Sequence, residues 1–256
     1  VITGDEKTAL DSPDIVVFAS PSAYMRAISK RLSPLIRRGQ IIVNVAKGVE
    51  ENTLMPVCDI IKEEIPQADV CVLSGPSHAE EVVIRMLTTI CAVSLNEEDA
   101  KTVQETFSNE YLRIYTGTDE IGSEVGVAVK NAIALASGIL SGLGYGDNTR
   151  AALMTRGLME MTRFGVAMGG KKETFMGMTG IGDLIVTCTS QHSRNFQAGY
   201  EIGKAGTAKI FWETNTKTVE GVRTAKAVHE KARELGIDMP IVNEIYAVLF
   251  ENKNAR

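Results

Sequence analysis

Short apolar runs alternate with amphipathic stretches through the first half of the chain. Residues 14–19, 41–45, 70–73 and 89–94 are rich in β-branched and other apolar side chains, with turn-forming or polar residues close by. Runs of this length with little polar alternation predict strands buried on both faces, as in a parallel sheet. Between them, residues 24–35, 53–64 and 96–107 space their apolar positions as helices do, and Asn96 supplies an N-cap ahead of a run of acids. Strand–helix alternation at this interval predicts an open α/β sheet.

The pattern changes class near Gly117. Residues 120–141 are apolar nearly all round at helical spacing, which predicts a helix at the centre of a bundle. A loop over 142–148 ends in an N-cap, and 149–168 are amphipathic. Residues 177–183 form a Gly-rich turn, 194–204 start another helix, and 206–217 carry no clear pattern. Residues 221–235 read as a strong helix, and Pro240 stands where proline favours opening the last one. The expected organisation is a sheet domain over 1–117 followed by a helical domain over 118–256.

Composition narrows the partners. A net charge of −5 leaves no electrostatic footprint for nucleic acid or an anionic membrane surface, so any affinity for anions must be local. The longest apolar stretch, 125–143, holds Lys130, Asn131 and several Gly and Ser, and fails as a plain membrane span. Cys58, Cys71, Cys91 and Cys188 lie far apart, which fits reduced core residues in a cytoplasmic protein. His78, His192 and His229 make no ligand spacing, so no dedicated metal site is expected. The opening Val-Ile-Thr-Gly-Asp-Glu-Lys lacks a signal-peptide pattern, and without an initiator Met it reads as a start inside a gene product.

Lys130 carries the sharpest chemical signal. Its neighbours from Val125 to Ala136 leave it no polar face, so it must snorkel, pair, or lose its charge readily through desolvation. A desolvated lysine suits general acid–base work near neutral pH, whereas an ion pair to another helix is the purely structural reading. Asn131 beside it could orient a substrate oxygen. Gly180-Ile181-Gly182-Asp183 with Thr187 lets backbone approach a ligand closely and offers Asp183 to the ammonium; the alternative is an ordinary capping loop. Ser193-Arg194-Asn195 places a cap, a cation and an amide at a helix start, which is good phosphate-binding chemistry; the alternative is an ordinary exposed arginine at a capped helix. Lys47-Gly48 and Gly75-Pro76-Ser77 both follow strands, where open α/β sheets gather ligands. A Gly-x-Gly-x-x-Gly fingerprint occurs nowhere in the chain.

Taken in order, Val45-Ala46-Lys47-Gly48-Val49-Glu50, Leu73 to Glu81 (Leu-Ser-Gly-Pro-Ser-His-Ala-Glu-Glu), Val129-Lys130-Asn131, Gly142 to Leu153, Gly180 to Leu184, Thr187 to Ser190, Ser193-Arg194-Asn195 and Val219-Glu220-Gly221 resemble the bacterial-type NAD(P)-dependent glycerol-3-phosphate dehydrogenases. The likeness runs nearly end to end. It implies an incomplete Rossmann-type parallel sheet followed by an all-α substrate and catalytic domain. It also implies reversible hydride transfer between NAD(P)H and dihydroxyacetone phosphate, giving sn-glycerol 3-phosphate for glycerophospholipid synthesis. By the same resemblance Lys130 exchanges the proton at the substrate C2 oxygen, supported by Asp183. Lys47, Gly75, Ser77 and Asn131 lie along the substrate, while Thr187, Ser193, Arg194 and Asn195 hold its phosphate. Lys47, Ala79, Arg194, Thr218 and Glu220 approach the cofactor, and a homodimer is compatible with the family.

His78 stands where the family usually has phenylalanine, and Ala46 where serine is usual. The resemblance also implies that an opening strand, its Gly-rich turn and the following helix and strand precede Val1. On that basis the chain reads either as part of an active dehydrogenase or as a truncated, non-catalytic phosphate-binding or dimerisation fragment. Ser193-Arg194-Asn195 argues against a relative acting on an unphosphorylated hydroxy acid.

Overall fold

The computed structural model describes residues 2–50, 53, 55–216 and 218–256, and only the backbone of Val127. Leu54, within the expected 53–64 helix, and Lys217, at the end of the unpatterned segment, lie outside the described residues.

The first part is one sheet in the order β1 (Ile15–Phe18), β2 (Ile41–Asn44), β3 (Asp69–Ser74), β4 (Thr88–Val93) and β5 (Leu112–Gly117). It is interleaved with α1 (Glu6–Ala9), α2 (Met25–Leu32), α3 (Val57–Glu64), α4 (Ala79–Val83) and α5 (Glu97–Phe107). The runs at 41–45, 70–73 and 89–94 become inner strands for the expected reason, since Ile42, Val43, Cys71 and Val72 are buried and point alternately to two covered faces; the run at 14–19 instead becomes the edge strand β1, where Val17 is exposed. One face packs Ile42, Val70 and Val72 against Met25, Val57 and Ile61 of α2 and α3; the other packs Val43, Cys71, Ile90 and Ile114 against Val103 of α5. Asn96 caps α5 by accepting from the Glu98 N–H at 3.1 Å.

Three expectations need correcting. The sheet is not all parallel: β3 and β4 pair antiparallel, Val72 opposite Val93. Only the five-residue α4 lies between them, too short to carry the chain back for a parallel crossover. The strand β5 was not expected, although Leu112, Ile114 and Thr116 alternate with Arg113 and Tyr115. The helix expected over 53–64 begins at Val57, because Pro56 stands at its N-cap and joins an isolated bridge to Val49.

Helices make the rest: α6 (Glu120–Gly142), α7 (Asp147–Ala167), α8 (Asp183–Thr189), α9 (Arg194–Ala205), α10 (Lys209–Thr214), α11 (Glu220–Glu234) and α12 (Pro240–Phe250). By length and composition α6 could cross a membrane, but 82% of its most apolar window is buried inside the protein. It is the axis around which α7, α8, α9 and α11 pack. Gly146, not Asn148, caps α7, and the Gly-rich turn at Met178–Gly182 is one π-helical turn running directly into α8.

Glycines set how closely α9 approaches α6. A Cβ at Gly138 would lie 2.1 Å from the Phe196 carbonyl oxygen, and one at Gly199 would lie 2.0 Å from that of Leu135. The two backbones therefore touch, which brings the start of α9 beside the middle of α6. That contact positions the site.

Candidate active site

Lys130 sits in the middle of α6 with 2% of its surface exposed. Its ammonium lies 2.9 Å from Asp183 Oδ1 and donates to Thr187 Oγ1 at 2.7 Å. The Thr187 hydroxyl is itself fixed by the Asp183 carbonyl oxygen one helical turn back, at 2.6 Å. Asp183 Oδ2 faces a second ammonium, that of Lys47, at 3.3 Å, and Lys47 also donates to the Gly75 carbonyl at 3.1 Å. One carboxylate in the first turn of α8 thus ties the loop after β2 to the centre of α6.

Burial moves these groups strongly. Desolvation lowers Lys130 to about 8, with Asp183 opposing that fall and the Lys47 charge adding to it. Burial alone would push Asp183 upward, but the two ammoniums outweigh it and hold the carboxyl below its usual range. The outcome is a charged pair whose lysine exchanges its proton close to neutral pH.

A second cluster adjoins the first. Asn195 Nδ2 donates to Asn131 Oδ1 at 2.9 Å, and Asn195 Oδ1 accepts from the Gly221 N–H at 2.8 Å. Two amides therefore lock the starts of α9 and α11 onto α6. Ser193 caps α9 by accepting from the Phe196 N–H at 3.2 Å, leaving Arg194 exposed at the positive end of a 12-residue helix. A Cβ on Gly221 would meet the Asn131 carbonyl at 2.5 Å, so this junction also needs a glycine.

These residues open onto one cleft of about 370 Å³ between the sheet and the helices. Of the expected site residues, Lys47, Ser77, Ala79, Lys130, Asn131, Asp183, Thr187, Ser193, Arg194, Asn195 and Glu220 all line it. Gly75 is not among the lining residues; it reaches the site through its carbonyl, which accepts from Lys47, and its φ of +147°, with Ile90 3.0 Å from where a Cβ would sit, favours glycine there. Thr218 does not join them: it is exposed and faces a separate depression beside Trp212, Arg223 and Phe250. Glu80, His78 and His192 line the cleft without having been singled out as site residues. For His192 a signal existed, since it directly precedes the Ser193 cap.

Among the described residues, one group could bring three ligand atoms around a metal, Cys58, Asp59 and Glu120, and none of them lines the cleft. Lys62 already pairs with Glu120, and burial pushes the Cys58 thiol up.

Known proteins similar in sequence to this chain share one family. A family profile for the NAD-dependent glycerol-3-phosphate dehydrogenase N-terminus matches residues 1–100, and its C-terminal counterpart matches 119–256. A glycerol-3-phosphate dehydrogenase [NAD(P)+] of Listeria monocytogenes serotype 4a is 54% identical over 251 residues, covering 97% of this chain and 74% of the relative. One from Fusobacterium nucleatum is 50% identical over 256 residues, covering 99% and 76%. The crystal structure of glycerol-3-phosphate dehydrogenase from Coxiella burnetii superposes with a TM-score of 0.91 at 33% identity, over 98% of this chain and 77% of that one.

Proposed function

The chain belongs to the NAD-dependent glycerol-3-phosphate dehydrogenase family, and we propose that its cleft carries out reversible reduction of dihydroxyacetone phosphate to sn-glycerol 3-phosphate with NAD(P)H. The observation that carries this reading is the buried Lys130–Asp183 pair, set beside the amide-locked, Arg194-bearing start of α9. One end of the cleft holds a proton-exchanging lysine and the other holds anion-binding chemistry. Such a pair of subsites fits a small phosphorylated ketone or alcohol.

Residues at the carboxyl ends of β2 and β3 fit the reactive end of a dinucleotide. The Lys47-Gly48 and Gly75-Ser77 loops open onto the cleft there, as ligand-binding loops of α/β sheets do, and Glu220 faces the same space. Lys47, Ala79, Arg194 and Glu220 would hold that end. When bound, the nicotinamide supplies or accepts the hydride. Lys130 donates its proton to the C2 oxygen during reduction and withdraws it during oxidation, while Asp183 keeps the ammonium available and Thr187 fixes its direction. Asn131 and Ser77 orient the substrate oxygens, and Ser193, Arg194 and Asn195 hold the phosphate. Water is kept from the Lys130 end by its burial against α8.

The reading carries a cytoplasmic enzyme whose product enters glycerophospholipid synthesis; sedimentation would test whether it assembles as a homodimer. The function is tested by mixing the protein, as this chain and as the gene product containing it, with NAD(P)H and dihydroxyacetone phosphate. Oxidation of the cofactor is expected, with Lys130→Ala nearly inactive. Glycerol 3-phosphate binding without turnover in either form would support instead a non-catalytic phosphate-binding module.

A further inference from the structure

Two imidazoles meet at the cleft from opposite parts of the fold. His78 is the residue capping α4 in the sheet part, and His192 lies in the turn between α8 and α9 in the helical part. Their ring centroids are 5.9 Å apart and the planes are tilted by 57°, so the rings meet without stacking. His78 Nε2 is shielded from solvent and has no hydrogen-bond partner among the described residues. A shielded ring nitrogen left unpaired costs free energy, and such a group calls for an explanation, such as a ligand that completes it.

The charges facing the pair sharpen this. Lys47, Lys130 and Arg194 bring cations to the cleft, and Glu80, Asp183 and Glu220 bring acids. Asp183 already engages both lysines, which leaves Arg194 as the principal cation toward a phosphate dianion. A dianion with three strong acceptor oxygens has room for donors beyond those of Arg194, Ser193 and Asn195. His192 directly precedes the Ser193 cap, so its ring flanks the positive end of α9, with His78 facing it from the other side of the cleft.

We propose that His78 and His192 are phosphate-binding residues, the His78 ring turning to uncover its Nε2 so that both donate ring N–H bonds to the substrate phosphate alongside Arg194 and join the sheet and helical parts across it. The inference rests on the cleft being the substrate site. It makes the phosphate a bridge between the two halves of the fold, gripped from α4 as well as from α9.

The test is binding of glycerol 3-phosphate to the protein in the presence of NAD(P)H, read by calorimetry and by imidazole resonances. The chain has three histidines, and His229, stacked on Tyr246 at 3.9 Å and bonded to Asn243, serves as internal reference. The His78 and His192 resonances should move with ligand and that of His229 should not. His78→Phe and His192→Phe keep ring bulk without the donors. Each should weaken glycerol 3-phosphate binding about tenfold, the loss of one charge-assisted hydrogen bond, and raise KM for dihydroxyacetone phosphate more than they lower kcat. His78→Gln, which restores an N–H, should recover part of the affinity. Unchanged affinity in both Phe variants would overturn the inference. So would silent His78 and His192 resonances while the α9 amides report bound ligand. Failure of the parent protein to bind glycerol 3-phosphate at all would overturn the substrate reading instead.

Discussion

Replacing Asp183 by asparagine removes the one carboxylate that faces Lys130 at 2.9 Å and Lys47 at 3.3 Å while keeping the shape of the side chain. Breaking a buried ion pair from one side costs about 3–5 kcal/mol, because the remaining charge is left without compensation. Lys130 can escape that cost by losing its proton. At 1.36 kcal/mol per tenfold change, that energy favours the neutral amine by roughly two to four powers of ten. From its parent value of about 8, Lys130 in the variant would move well below neutral pH. At neutral pH the parent lysine is mostly ammonium and the variant lysine mostly amine. Reduction of dihydroxyacetone phosphate, which needs the ammonium as proton donor, should therefore drop by about 10–500-fold at pH 7 and recover as the pH is lowered. Oxidation of glycerol 3-phosphate, which needs the amine, should suffer much less. The assay is NAD(P)H absorbance in both directions across the pH range, with thermal unfolding of the same samples to confirm that the variant is folded. A folded variant whose reduction rate and pH profile match the parent would refute the role given to the pair.

In the parent, the same logic gives a pH dependence with opposite signs: reduction should fall as pH rises through about 8, and oxidation should rise through the same point. Parallel pH profiles in the two directions would count against Lys130 as the proton carrier. Gly199→Ala places a methyl against the Leu135 carbonyl and must push α9 away from α6; a loss of about 3 kcal/mol in denaturant unfolding is expected, together with weaker glycerol 3-phosphate binding. Glu124, on α6, accepts from Asn44 Nδ2 at 2.8 Å and from the Cys58 N–H at 2.9 Å, so Glu124→Ala orphans two buried donors. A cost of about 2–5 kcal/mol should appear in the same unfolding measurement, and a change within error would show that water replaces the carboxylate.

What could be read before folding, and what could not, divides along physical lines. The inner strands β2 to β4 and the axis α6 announce themselves because burial leaves little choice but continuous apolar sequence, while the edge strand β1 reads the same way although Val17 is exposed. Lys130 stands out for the same reason, as a charge where none belongs. By contrast, the antiparallel direction of β4 is decided by the path of the segment carrying α4, which no local run of residues encodes. The strand β5 has one exposed face, so its polar alternation looks like surface. The family motifs identify Ser193, Arg194 and Asn195, but only the glycine-mediated contact of α9 with α6 turns them into one site with Lys130. Thr218 shows the converse: it stands two residues from Glu220, yet the backbone between them turns it toward Trp212. His78 and His192 are 114 residues apart, and neither has ligand spacing to any other histidine. Their meeting depends on how the sheet faces the bundle, a relation that neither half of the sequence contains by itself. Chemistry concentrated in one element is therefore legible from sequence, and chemistry shared between two elements waits on the fold.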